Sequence, residues 1–126
     1  MAKHFDLASA QRTVEQLRPL LFELAALTRR LKREVPGEEQ LNEAAAWGRA
    51  QPALIDHGLR VARYGELVSL IAGAGAQLKD PETGLVDFPA RLGEREVLLC
   101  WRLGEEKIAW YHDEKSGFRG RKPLDP

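Results

Sequence analysis

At 126 residues and 44% hydrophobic content, the chain has enough apolar material for one domain, of a size that buries about two-thirds of its unfolded surface. Its 19 Lys plus Arg against 19 Asp plus Glu give zero formal charge, which removes any overall pull toward nucleic acid or anionic lipid. A single cysteine excludes an internal disulfide, and no apolar run approaches the roughly 20 residues of a membrane helix, so a cytoplasmic location is expected.

In the N-terminal half, Ala10, Val14, Leu17, Leu21, Leu24, Thr28, Leu31 and Val35 recur in steps of four and three, the spacing of one apolar stripe along a helix. Asp6 is placed to cap it, and Phe5 can close a hydrophobic staple on Ala10, so the helix is predicted to start near Leu7. Pro19 lies inside the pattern and lacks the amide that would bond the Glu15 carbonyl, which predicts a kink or a split. Pro36-Gly37 ends the segment, and the acidic start "GEEQLNEAAAW" suits the positive end of a second helix. That helix is predicted from Glu38 to about Ala72, kinked or broken at Pro52, with Leu41, Leu54, Ile55, Leu59, Val61, Leu67, Val68 and Ile71 on it. Gly58 and Gly65, seven apart, are read as packing positions where a partner backbone comes close.

After "AGAGA" the period changes. "AQLKD", "LVDFPAR", "EVLLCWRL" and "IAWYHD" read as strands, with turns at Asp80-Pro81 and Gly84, at Gly93 and at Gly104. Pro89 cannot donate to a ladder, so the second strand should lie at an edge, or end, near it. The predicted fold is α+β: a long kinked antiparallel helical hairpin packed on a small three- or four-stranded antiparallel β-meander. It forms a single domain over 1–126, with the hairpin in 1–74, the meander in 75–114 and an irregular basic tail in 115–126.

Strand alternation sorts the aromatic-rich stretch Leu99 to Asp113. Val97, Leu99, Trp101 and Leu103 point one way, and Leu98, Cys100 and Arg102 the other. A two- or four-residue turn at Gly104 would put Ile108, Trp110 and His112 with Trp101 against the helices, and leave Cys100, Arg102 and Tyr111 outside; a three-residue turn would swap the last strand's faces. On the first alternative Cys100 and His112 face opposite ways, so a Cys/His nucleophilic pair is the least favoured chemistry. Cys100, flanked by Leu99 and Trp101, reads as an inert buried thiol.

His112 with Asp113, Glu105 and Asp87 could offer nitrogen and oxygen ligands to a divalent metal, or a general base with an orienting carboxylate. None of the Cys-x-x-Cys, His-x-x-x-His or His-Glu-x-x-His spacings is present. Arg29, Arg30, Lys32 and Arg33 read as a solvated helix end, and His57 as a surface histidine. Arg119, Arg121 and Lys122 form a second basic cluster, in a flexible segment able to wrap a phosphate or an acidic partner.

The combination of "LKD" at Leu78–Asp80, "GLVDFPA" at Gly84–Ala90, "LCWRLGE" at Leu99–Glu105, the His112 ending and "GFRGR" at Gly117–Arg121 resembles the small bacterial family known as domain of unknown function 2203. The likeness extends to "FDLASA" and "LRPLL" near the N-terminus, although Tyr111 stands where the family pattern usually has Trp before the histidine. The resemblance implies a cytoplasmic bacterial protein of helical hairpin plus sheet and no particular activity. Its motif residues, carried over one by one, are Lys79, Asp80, Asp87, Phe88, Cys100, Trp101, Gly104, Glu105, His112, Gly117, Phe118 and Arg121.

From these, Lys79, Asp87, Glu105, His112 and Arg121 are the ligand-binding candidates; no catalytic residue, cofactor or metal is assigned. The expected function is a non-enzymatic binding or assembly module, a homodimer whose long helices pair between copies, with a protein partner rather than a membrane or nucleic acid. The alternative is a metal-dependent or acid/base enzyme using Asp87, Glu105 and His112.

Overall fold

The structure, a computed structural model, describes residues 4–34 and 52–124. Among the described residues, two helices pack on one face of a five-stranded antiparallel sheet, an α+β fold with one or two more strands than the sequence pattern marks. Helix α1 spans Leu7–Arg33 and helix α2 spans Pro52–Gly73. The strands are β1 Gln77–Asp80, β2 Leu85–Leu92, β3 Arg95–Arg102, β4 Trp110–His112 and β5 Lys122–Pro123, in spatial order β1-β2-β3-β4-β5.

Helix α1 begins where its cap dictates: Asp6 Oδ1 accepts from the Ser9 amide at 2.7 Å, and Ser9 Oγ accepts from the Asp6 amide at 3.0 Å. Phe5, just before it, is buried edge-on against Phe88 at 5.1 Å, and its N–H donates to the Pro89 carbonyl at 2.7 Å. The stripe from Ala10 to Thr28 is buried as spaced, and Leu31 is half-buried. The helix runs through Pro19 without a split; Pro19 lies on the exposed side, where water can solvate the Glu15 carbonyl that loses its donor. Predictions falling on Val35, Pro36-Gly37 and the stretch from Glu38 to Gln51 lie outside the described residues.

Ion pairs set the two antiparallel helices against each other. Arg60 holds Glu34 at 2.5 Å and Arg63 holds Glu23 at 2.7 Å, and the Arg60 guanidinium pulls the Glu34 carboxyl down to about 2. Half-buried His57 lies 3.4 Å from the same carboxylate rather than standing alone on the surface. Among the described residues no backbone comes close at Gly58 or Gly65: an added Cβ would meet nothing within 4 Å at either. Within α2, Leu67 and Ile71 are buried, whereas Ile55, Leu59 and Val61 are exposed. Among the described residues no helix is long and apolar enough to cross a membrane.

The helices cover the sheet face formed by Val86, Phe88, Ala90, Val97, Leu99 and Trp101. β1 stops pairing at Gln77↔Asp87, so β2 passes beyond its neighbour before Pro89, and Phe5 bridges Ala90 there. The tail is ordered into the sheet: a single 3₁₀ turn at Phe118–Gly120 leads into β5, which pairs with β4. That turn needs its glycines, Gly117 at φ 63° and Gly120 because a Cβ there would collide with Ser116.

Candidate metal centre on the outer face of the sheet

The face of β4 is decided by the connection before it. Residues 103–109, seven in all, separate β3 from β4, and an odd number reverses the faces relative to a two- or four-residue turn. The connection is drawn onto α1: buried Ile108 donates its N–H to Gln11 Oε1 at 2.8 Å, and Arg18 reaches the Glu105 and Glu106 carbonyls at 3.4 and 3.1 Å. The Trp101 indole N–H donates to the Glu105 carbonyl at 3.1 Å. Cys100 therefore pairs with Trp110 and Leu98 with His112, and directly paired residues share a face. Two expectations fail here. Cys100 and His112 lie on the same face, away from the helices, and Trp110 goes with them, while Tyr111 packs toward the core.

Asp87 stands directly across from Cys100 in the β2–β3 ladder, completing a group of three buried side chains. One donor atom from each of Asp87, Cys100 and His112 lies within 4.8 Å of the others. His112 Nδ1 donates to the Asp113 carbonyl at 2.6 Å, because a carbonyl only accepts. Its Nε2 faces Asp87 Oδ2 at 3.0 Å. Asp113 is itself fixed: its Oδ1 accepts from the Ser116 and Lys115 amides at 2.8 and 3.0 Å, and the Ser116 bonds lower its carboxyl. Among the described residues, buried Asp87 Oδ1 has no hydrogen-bond partner.

The Cys100 thiol is pushed up to about 12, first by burial and then by the neighbouring Asp87 charge, with the Arg121 guanidinium opposing. Both imidazole nitrogens of His112 are engaged elsewhere, so neither can take the thiol proton, and a Cys–His nucleophile is excluded by geometry. What the trio offers is a ligand set. Thiolate, imidazole and carboxylate suit a zinc-type divalent ion. A ring nitrogen hydrogen-bonded to a backbone carbonyl, leaving the other aimed at the centre, is the usual support for a metal-binding histidine.

Of the residues singled out from sequence, Lys79, Asp87 and His112 border one cleft of about 210 Å³, together with Cys100, Leu85, Leu98, Glu114 and Phe118. Glu105 and Arg121 meet each other instead. Arg121 Nη2 lies 2.8 Å from both Glu105 oxygens and 3.4 Å from the Cys100 carbonyl, and its guanidinium packs over Phe118 at 4.7 Å and Trp110 at 5.0 Å. Glu105 also accepts the Arg102 amide at 2.7 Å, so it does not join Asp87 and His112. The Arg121 cation is thus pinned rather than free to wrap a phosphate. Cys100, set aside in the sequence as inert, takes the place expected of Glu105; only the odd parity of the connection could have signalled it.

A family model described as "Uncharacterized conserved protein (DUF2203)" matches residues 3–124. The chain belongs to that family. No curated protein and no solved structure matches it. In this member of the DUF2203 family, the motif "GLVDFPA" supplies Asp87, "LCWRLGE" supplies Cys100, and the strand before the "GFRGR" turn supplies His112.

Proposed function

We propose that the chain binds a zinc-type divalent metal through Asp87, Cys100 and His112. The observation that carries this reading is the buried Asp87 Oδ1, without a partner among the described residues, beside a thiol and an imidazole whose other nitrogen is already committed. A buried carboxylate oxygen left unsatisfied is costly, and a bound cation removes that cost. Tetrahedral zinc with bonds of about 2.0–2.3 Å holds its donors about 3.3–3.8 Å apart, so shifts on the order of 1 Å close this trio around an ion. The ion would displace the thiol proton and take the place of the contact between His112 Nε2 and Asp87. Three protein ligands leave a position for a small molecule, which is the arrangement of binding and catalytic sites rather than of closed structural ones.

The test is cobalt substitution of chelator-treated protein. One cobalt per chain is expected, with a near-ultraviolet thiolate-to-cobalt band that disappears in Cys100→Ser and His112→Ala. Folded protein with no stoichiometric uptake of cobalt or zinc would sink the proposal. The single buried thiol and the family resemblance support placement in the bacterial cytoplasm, where an unpaired cysteine stays reduced.

A second reading, self-association through the helices, draws on a different observation. Among the described residues Phe22 is 67% exposed, Leu59 64% and Ile55 49%, and a groove lined by Phe22, Ala26 and Leu27 runs beside Arg60. A second copy covering this face would form the homodimer expected from the length of the apolar stripe. Sedimentation at micromolar concentration should then give a dimer that Phe22→Glu converts to monomer; a wild-type monomer refutes it.

A further inference from the structure

We infer that the cleft beside the trio takes a small monocarboxylic acid, its carboxylate held between the metal and Lys79 and its apolar part lying against Leu98 and Phe118. This rests on the metal reading above and names the ligand of that same site. Lys79 is the extra residue of a β-bulge: Leu78 pairs with Val86 and Asp80 with Leu85, which leaves Lys79 with no opposite number on β2. Such bulges re-aim a side chain, and among the described residues the bulged one is the only lysine or arginine lining the cleft. Lys79 is exposed, and among the described residues its ammonium has no hydrogen-bond or ion-pair partner, so it is available to a ligand at the cleft mouth.

Charge and size narrow the class. A divalent ion with the Asp87 carboxylate and the Cys100 thiolate is locally neutral, and the remaining charged lining residues are Lys79 and Glu114. Lys79 and Glu114 offset each other, so a single negative group can meet Lys79 while each further one adds repulsion from Glu114, which disfavours phosphate and dicarboxylates. The space, about 210 Å³, falls below the roughly 300–1,000 Å³ of pockets for drug-sized ligands, so a molecule of a few carbons fits. Leu85, Leu98 and Phe118 supply apolar wall, and Phe118 is held in place by Arg121 and Arg102 at 4.7 and 5.1 Å.

The test uses the cobalt-loaded full chain titrated with acetate, isovalerate and inorganic phosphate while the visible cobalt bands are recorded. Isovalerate should shift the bands saturably and bind about tenfold more tightly than acetate, since its extra carbons find apolar wall. Lys79→Gln should weaken isovalerate about tenfold with the thiolate-to-cobalt band unchanged, and Lys79→Arg should restore most of the affinity. A cobalt protein whose bands ignore isovalerate, or that prefers phosphate, or in which Lys79→Gln changes nothing, overturns this inference alone. A folded protein that takes up no cobalt overturns it together with the metal reading.

Discussion

On the face toward the helices, β2 and β3 present Val86, Phe88, Ala90, Val97, Leu99 and Trp101, none more than 4% exposed; on the opposite face the same strands bury Asp87 at 2% and Cys100 at 0%, with His112 of β4 at 3%. The first face is what burial alone selects, each large apolar side chain contributing about 1.5–3 kcal/mol on leaving water. The second works against it. Removing a carboxylate and an imidazole from water costs several kcal/mol per charged group, and a single 3.0 Å contact between them recovers only part. One face is dry along both strands; the other is exposed at Gln77, Lys79 and Arg91 and yet buries a carboxylate, a thiol and an imidazole, a burial that apolar packing alone does not explain.

The largest way to break this comparison is on the helix side. Trp101 is fully buried, donates to the Glu105 carbonyl and lies under the Arg18 guanidinium at 5.1 Å. Trp101→Ala should cost about 3–5 kcal/mol in urea unfolding. If zinc is added at a hundred times its dissociation constant, the increment of about 2.7 kcal/mol should persist in any fraction that still folds. Cys100→Ser should show the reverse pattern, a small loss without zinc and no increment with it. An equal zinc increment in both variants would erase the distinction between the faces.

On the outer face, single and double replacements should disagree. Removing one member of a buried pair, as in His112→Ala, should cost about 3–5 kcal/mol by stranding the other. Replacing both, as Asp87→Val with His112→Leu, should bring metal-free stability back to about the native value or above it while abolishing metal uptake. A double variant as unstable as the single one would mean that the pair supports the fold after all.

The pH response gives a smaller effect with opposite signs in the two states. Without metal, the Cys100 thiol is raised from 9.0 to about 12, so its contribution to stability is full below pH 9 and is lost as pH rises toward 12, where the unfolded chain ionises first. With zinc bound the thiol proton is already gone, and stability should instead fall toward low pH as protons compete for the ligands. Urea midpoints from pH 5 to 10, with and without zinc, check both slopes. Alkylation of Cys100 in native metal-free protein should stay slow at pH 8 for the same reason.

The helix-facing side was readable because two periodicities agree with it. The four-and-three spacing from Ala10 to Thr28 and the alternation Val97, Leu99, Trp101 each need only local geometry, and both are buried as spaced. Asp87 and His112 stood out by residue type. Their meeting with Cys100 depends on the parity of residues 103–109, and Gly104 suggested a tight turn because nothing local announces that Ile108 leaves the strand to bond Gln11. Arg121 looked like part of a loose basic tail because its partner, Glu105, is brought to it only by β5 pairing with β4. Contacts set by loop parity and by late strand pairing are invisible to local pattern.

The smallest effect tests where the helices meet anything at all. Gly58 and Gly65 were expected to admit a close partner backbone, yet among the described residues each faces open space and neither has a positive φ. If that space stays open in solution, Gly58→Ala and Gly65→Ala should each stabilise the protein by about 0.4–1 kcal/mol, through helix propensity and a less flexible unfolded chain. A second copy seated over Phe22 and Leu59 need not touch these positions, so the gain should survive at concentrations where a dimer forms. A loss that grows with protein concentration would place the partner's backbone on the glycines instead, and would restore in the assembly the close packing that the isolated chain lacks.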